Sequence, residues 1–372
     1  MFKIRKVGPL VTLIGLLLPF IAVVNLKAQD VTIKWREALN QDEEWYAGDE
    51  AIRIADNVLI YQHETGGWPK NNEMAEMMDK NSIKTILKAK KDHNDDLGRP
   101  TIDNKATYSQ MRFLARVFTK TEKSRFKKGF LKGVDYLLEA QYDNDGWPQF
   151  YPIRKGYYEN ITFNDGAMMG VLELFRDIAN GKYEFVDSPR VSSVQKAIDK
   201  GLEVILKTQI KVDGKLTAWC AQYDPGTLQP ANARAYELVS ISGSESVQIL
   251  KYLMKIDNPD AEIIKAVTSG VEWFENVKIT TVRLIKKENP ELPKGYDLLV
   301  GFDPKGAKPL WARFYEIETN YPMFVDRDGI VEYALSEIDY ERRVGYSWLG
   351  SWADGLLTKD YPKWSKKIGL KQ

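Results

Sequence analysis

Three times along this chain a helix-patterned segment ends in glutamine, and a glycine follows five residues later at a turn. Gln62 leads into Gly66-Gly67-Trp68-Pro69, Gln141 into Gly146-Trp147-Pro148, and Gln209 into Gly214-Lys215-Leu216. The glutamines stand 79 and 68 residues apart, about one helical hairpin plus a long loop per interval. A second recurrence opens the other helices: Thr101-Ile102-Asp103-Asn104, Thr162-Phe163-Asn164-Asp165 and Ser242-Gly243-Ser244-Glu245, each polar and each ahead of an apolar helix. Three hairpins with like ends would carry Asp103, Asp165 and Glu245 to one rim, beside the Gly-Trp-Pro turns. Caps and turns also recur by chance in helical proteins, so the repeat needs support.

Helical periodicity supplies some of it. Amphipathic stretches run over Glu50–Tyr61, Lys105–Phe118, Lys123–Ala140, Gly166–Ile178, Val194–Ile210, Ser246–Ile256 and Ala261–Val277. The last third changes character. Thr280–Ile285, Tyr296–Val300, Ala312–Ile317 and Pro322–Val325 read as short strands or extended loops, and a final helix is expected from Ser351 onwards. No linker rich in Gly, Pro or Ser interrupts the chain, so residues 29–372 are expected to form one domain. A small separate module built from the late strands is the alternative.

Residues 1–28 are set apart. Lys3, Arg5 and Lys6 precede an apolar run from Val11 to Val24, which closes on Leu26-Lys27-Ala28. That is the layout of a secretory signal, short for a bilayer span, with cleavage expected near Ala28. An uncleaved anchor is the alternative. Gln29 stands where a lipid-modified cysteine would be needed. The expectation is a secreted or periplasmic monomer with no membrane attachment after cleavage.

Removing Lys3, Arg5, Lys6 and Lys27 takes the formal net charge from +1 to −3. A nucleic-acid partner would favour a clearly basic chain, so none is expected. An acidic polymer could bind only through a local basic cleft. The single cysteine, Cys220, rules out internal disulfides and cysteine metal clusters, and two histidines make zinc or Ser-His-Asp chemistry a poor match.

Oxygen chemistry is better provided for. Asp103 and Asp165, with Asn104 and Asn164 beside them, read either as helix N-caps or as oxygen ligands of Ca²⁺ in a shell open to substrate. Asp143-Asn144-Asp145-Gly146 is no EF-hand, because Gln141 and Pro152 fall on its first and twelfth positions. Among the basic residues, Arg234 follows an aromatic, Pro-containing loop and Arg313 stands between Trp311 and Phe314-Tyr315. Arg327 sits in Asp326-Arg327-Asp328-Gly329, which reads as an exposed turn with ion pairs or as a ligand site. Arginine suits bidentate carboxylate recognition, which points to an anionic ligand such as an acidic sugar.

Seven ordered blocks carry a resemblance. Gly66-Gly67-Trp68-Pro69-Lys70-Asn71, Thr101-Ile102-Asp103-Asn104-Lys105-Ala106-Thr107, Asp145-Gly146-Trp147-Pro148-Gln149 and Phe163-Asn164-Asp165-Gly166-Ala167-Met168 are four. Ala233-Arg234-Ala235-Tyr236-Glu237, Arg313-Phe314-Tyr315-Glu316 and Glu341-Arg342-Arg343-Val344-Gly345-Tyr346 are the rest. In this order, from about Glu50 to Trp352, the chain resembles pectate lyases of polysaccharide lyase family 10. The resemblance implies an all-α-dominated fold, an incomplete (α/α)3 toroid or barrel with short strands in the C-terminal third. It implies calcium carboxylates at Asp103 and Asp165, with Asn104 in the site. It also implies a catalytic arginine at Arg234, uronate-binding arginines at Arg313 and Arg327, and polygalacturonate as substrate.

The implied reaction is anti β-elimination across C4–C5 of α-1,4-linked galacturonate. An arginine base is chemically awkward, since free guanidinium titrates above about pH 12. Surrounding cations are expected to lower that value and to place the optimum in alkali. Two other readings stay open at this level. Asp103 and Asp165 could serve as the acid and base of a glycoside hydrolase acting on uronides. A pectin-binding protein without catalysis is the second.

Overall fold

The computed structural model describes residues 33–92 and 97–370; the secretory signal expected over residues 1–28 lies outside the described residues. A short helix α1 (Trp35–Ala38) leads into α2 (Asp49–Tyr61) and α3 (Lys80–Asp92). Three hairpins follow: α4 (Tyr108–Thr121) with α5 (Ser124–Glu139), α6 (Ala167–Ala179) with α7 (Ser188–Thr208), and α8 (Glu245–Leu253) with α9 (Ala261–Asn276). Successive first helices pack α4 on α6 on α8, and successive second helices pack α5 on α7 on α9, with α2 against both members of the first hairpin. The row α4, α6, α8 is the more deeply buried. This is an open helical toroid. Short helices α10 (Tyr340–Gly345) and α11 (Tyr361–Lys367) close the chain.

Helix ends follow local chemistry. Glu122, in the left-handed region at φ 54°, turns α4 into α5 within two residues. α7 starts six residues before the apolar pattern suggests, because Asp187 caps the Arg190 N–H and Pro189 sits in the first turn. α3 carries Ile83, Ile86 and Leu87 on one face but is otherwise polar and buries only Ile86, so it does not stand out in the sequence as a core helix. The late strands grow from the helical rim. Phe314–Tyr315 pairs with Ile241–Ser242, which immediately precedes Gly243-Ser244 and α8, and with Pro322–Val325 on its other side. Strands Val282–Glu288 and Tyr296–Phe302 form a long hairpin.

The glutamine repeat has a structural cause. Each side-chain amide donates to a carbonyl of its own turn and to one in the next second-row helix. Gln62 reaches Gly66 and Gly129, Gln141 reaches Asp145 and Ala197, and Gln209 reaches Thr217 and Ala266, all at 2.8–3.1 Å. The tryptophan of each turn closes the unit. The indoles of Trp68, Trp147 and Trp219 are fully buried and donate to Val58, Leu137 and Ile205, on the helix just completed. Trp311 repeats this bond to Phe274 of α9, a fourth instance that the sequence does not display. Replacing buried Gln209 by alanine leaves two carbonyls without this donor. A loss of about 2–3 kcal/mol is expected, read as a lower urea midpoint at unchanged slope.

Candidate active site

Because every hairpin runs out and back, the long loops between hairpins collect at one end of the toroid. There the motif turns are knitted together by backbone bonds. Thr101 N–H donates to Trp68 O, Ile102 N–H to Gln149 O, and Trp68 N–H to Thr107 Oγ1. Gly66 is required here: at φ +116° its Cβ would stand 2.2 Å from the Lys132 carbonyl.

Asp103 and Asp165 sit in one-turn 3₁₀ segments that pack against each other, ahead of α4 and α6. Neither caps a helix: α4 begins at Tyr108, and no side-chain cap bond is made at either start. The turns are strained instead. Asn104, Lys105, Thr107 and Asp165 all have φ between 48° and 66°, conformations costing about 1–3 kcal/mol each in non-glycine residues. Such strain gathers where a site must be held in one shape.

The Asp103 carboxylate is 4% exposed. Its Oδ2 accepts from Lys70 Nζ at 2.8 Å, while Oδ1 is buried without a hydrogen-bond partner. Asp165 is half-exposed, accepts from Asn164 Nδ2 at 3.0 Å and faces Arg313 Nη2 at 3.4 Å. Burial pushes its carboxyl above the usual range; Arg313 pulls it down, and Glu245, Asp103 and Glu237 push it up. Asn104 is exposed and donates to Asn71 Oδ1 at 3.0 Å.

Glu245, the third rim carboxylate, serves the arginine. Arg313 Nη2 donates to its Oε1 at 2.9 Å, and Ser242 donates to its Oε2. The side chain of Arg313 is only 11% exposed, with its guanidinium 4.8 Å from the ring centre of Tyr346. The Tyr346 hydroxyl donates to Glu237 Oε1 at 2.7 Å. Glu237 is the partner of Arg234, which donates through Nε at 2.8 Å and Nη2 at 2.5 Å. Tyr236, packed edge-on against Tyr346, carries Arg234, Arg342 and Arg327 within 5.7 Å of its ring centre. All six sequence-identified residues therefore lie along one continuous track from Asn104 to Arg327.

Two expectations are refined. Arg342 and Arg327 share the Tyr236 ring with Arg234, but among the protein's own groups Glu237 dominates: burial lowers the Arg234 pKa, and hydrogen bonds and charge from Glu237 outweigh this and raise it above the ordinary arginine value. Arg327 does occupy an exposed turn with an ion pair, but its partner is Glu341, at 3.1 and 3.2 Å, which also holds Arg342. Sequence reasoning missed Lys70, Glu237, Tyr346, Glu341 and Arg342 as site residues. Only the Arg234–Glu237 spacing of three could have signalled a pair.

The residues fit a hard cation. Asp103 Oδ1 and the disfavoured charge of Asp165 offer oxygen donors on adjoining turns, the ligand type that Ca²⁺ takes together with water or a substrate carboxylate. No group of three or more His, Cys, Asp or Glu residues among the described residues could hold a metal unaided.

The family model for pectic acid lyases matches residues 62–357. The chain belongs to the pectic acid lyase family. Two solved structures of a Family 10 polysaccharide lyase from Cellvibrio cellulosa resemble this pectate lyase at 32% identity and a TM-score of 0.71. One is the enzyme itself; the other is an aspartate-to-alanine mutant in complex with trigalaturonic acid. The matches cover 88% of this lyase and 95% and 96% of those chains. No curated protein matches it. The toroid implied by the resemblance is the architecture of this lyase, and among its described residues no helix is long and apolar enough to cross a membrane.

Proposed function

We propose that this pectate lyase cleaves α-1,4-polygalacturonate by calcium-assisted anti β-elimination, releasing 4,5-unsaturated oligogalacturonides. In this reading it works as a monomer, secreted or periplasmic after loss of residues 1–28, with residues 29–372 as one catalytic domain. The observation that carries it is the single track holding two carboxylates, Asp103 and Asp165, next to Arg313 and Arg234. The trigalaturonic acid in the related complex supports a uronate polymer as occupant.

The C5 proton is removed from a carbon already next to a negative carboxylate, so a second charge must be stabilised as it forms. Calcium held by Asp103 and Asp165 would neutralise that carboxylate. The buried Arg313, held by Glu245 and Asp165, supplies a fixed donor, a kind of contact typically worth about 3–4 kcal/mol in the transition state. Arg327 and Asn104, both exposed, bind neighbouring parts of the polymer. Arg234 takes the C5 proton, the C–H electrons form the C4–C5 double bond, and the C4–O bond breaks with its electrons leaving on the oxygen. A positioned base contributes about 10²–10⁴-fold.

Mixing the enzyme with polygalacturonate and Ca²⁺ is expected to give rising ultraviolet absorbance from the unsaturated uronide. New reducing ends without absorbance would mean hydrolysis. Unchanged viscosity with binding would mean a carrier protein.

A further inference from the structure

Glu237 has no part in the reaction as described so far, yet it is the most heavily engaged buried carboxylate of the track. It is 6% exposed and accepts from Arg234 Nε, from Arg234 Nη2 and from the Tyr346 hydroxyl. The loop is folded to make this pair: Glu237 N–H donates to Arg234 O at 2.8 Å, and Ala233 N–H to Glu237 O at 2.9 Å. Arg234 is thus pinned along one edge. Its Nη1 makes no hydrogen bond to the described residues, on a side chain that is 42% exposed.

We propose that Glu237 is a positioning residue for the elimination: its buried carboxylate aims the Arg234 guanidinium at the substrate, and its charge sets the pH range in which Arg234 turns over. This rests on the reading of Arg234 as the group that takes the proton. A fork held by two parallel bonds has one orientation, whereas a free arginine samples many. The same carboxylate stabilises the cation, so the proton-accepting form of Arg234 appears only at high pH. The other groups facing the pair are Tyr157 and Tyr236 beside Arg234, Arg342 and Arg327 across the Tyr236 ring, Tyr346 beside both, and Arg313, Asp165 and Glu245 further along the track. None of them bonds to Arg234, so Glu237 dominates. Tyr346 modulates it, because a hydroxyl donating to Oε1 draws off part of the charge that Arg234 feels.

The test is the pH dependence of kcat in three proteins. Glu237→Gln keeps the shape but removes the anion; the cation loses stabilisation, and the rising alkaline limb moves to lower pH by one unit or more. Tyr346→Phe leaves Glu237 with its full charge on Arg234, and the limb moves the opposite way. Opposite shifts are not expected from damage to packing, and the tyrosine variant keeps the proposal testable if Glu237→Gln does not fold. Oligogalacturonate affinity of folded variants should stay within about threefold of wild type. A limb within 0.3 unit of wild type in Glu237→Gln, or a shift of the same sign in both variants, overturns the proposal. Arg234→Lys separates the two failures: if it keeps a rate within about tenfold of wild type, the reading of Arg234 itself is wrong.

Discussion

Replacing Arg234 by alanine is expected to lower turnover by at least about 10³-fold while leaving oligogalacturonate binding largely intact. The proposed binding residues Arg313, Arg327 and Asn104 are anchored without Arg234: Arg313 by Glu245 and Asp165, Arg327 by Glu341, and Asn104 by Asn71. The variant therefore loses an interaction made mainly in the transition state, and kcat falls far more than Kd. Arg234→Lys separates two roles. Lysine keeps a positive charge but cannot form the two parallel bonds to Glu237, so its nitrogen is neither aimed nor placed like Nη1. If Arg234 removes the proton, lysine fails nearly as badly as alanine. Because Arg234 would act in its neutral form, kcat rises with pH, and the direction of its shift sets how far into alkali that rise lies. Its guanidinium is held above the ordinary value by Glu237, so wild-type kcat rises through alkaline pH as the neutral form becomes populated. A lysine variant within about tenfold of wild type would leave Arg234 as a fixed cation, with hydroxide or water as the base.

Excess chelator is expected to abolish turnover, and Ca²⁺ to restore it better than Mg²⁺, which demands a tighter octahedral shell. Full activity in chelator would remove the cation from the mechanism. Stability gives a second readout. Ca²⁺ bound only by the folded chain raises the unfolding temperature by mass action, and Asp103 or Asp165 variants should lose that rise. The two differ without calcium. Asp103→Ala strands Lys70, whose side chain is 15% exposed beside Phe150, so the calcium-free variant loses about 3 kcal/mol or more. That exceeds the loss of a helix cap, a role the structure does not give to Asp103. Asp165→Asn goes the other way. The folded-state pKa of Asp165 is raised, so its ionised form works against folding once pH exceeds the unfolded value. The calcium-free asparagine variant should therefore be slightly more stable than wild type at neutral pH. The difference should vanish below about pH 4, where Asp165 is protonated in both states. An Asp165→Asn protein that is less stable at pH 7 and keeps its calcium response would contradict the assignment.

The glutamine repeat was legible because one residue solves the same problem each time, tying a turn to the next helix through two amide hydrogens. The tryptophan half was only partly legible. Trp68 and Trp147 stand six residues after their glutamines, but Trp219 stands ten after, displaced by the hairpin of Lys211–Val212 with Lys215–Leu216. Trp311 is separated from its helix by the long Val282–Phe302 hairpin and could not be matched to the others. Helix α3 escaped for a different reason: its narrow apolar stripe of Ile83, Ile86 and Leu87 is set in a lysine-rich segment, and only Ile86 is buried.

Sequence alone determined the helical hairpins, the rim carboxylates Asp103, Asp165 and Glu245, and the arginines at Arg234, Arg313 and Arg327. These depend on local spacing, turn chemistry and motif order, all of which act along the chain. Only the tertiary structure decided which charge each of them meets. Lys70 reaches Asp103 across 33 residues, Arg313 reaches Glu245 across 68, and Tyr346 reaches Glu237 across 109. No periodicity encodes such pairs, because they form where loops from separate hairpins converge. Coulombic and hydrogen-bond forces act through space in a partly buried site, so partners distant in sequence set the charge and direction of every reacting group.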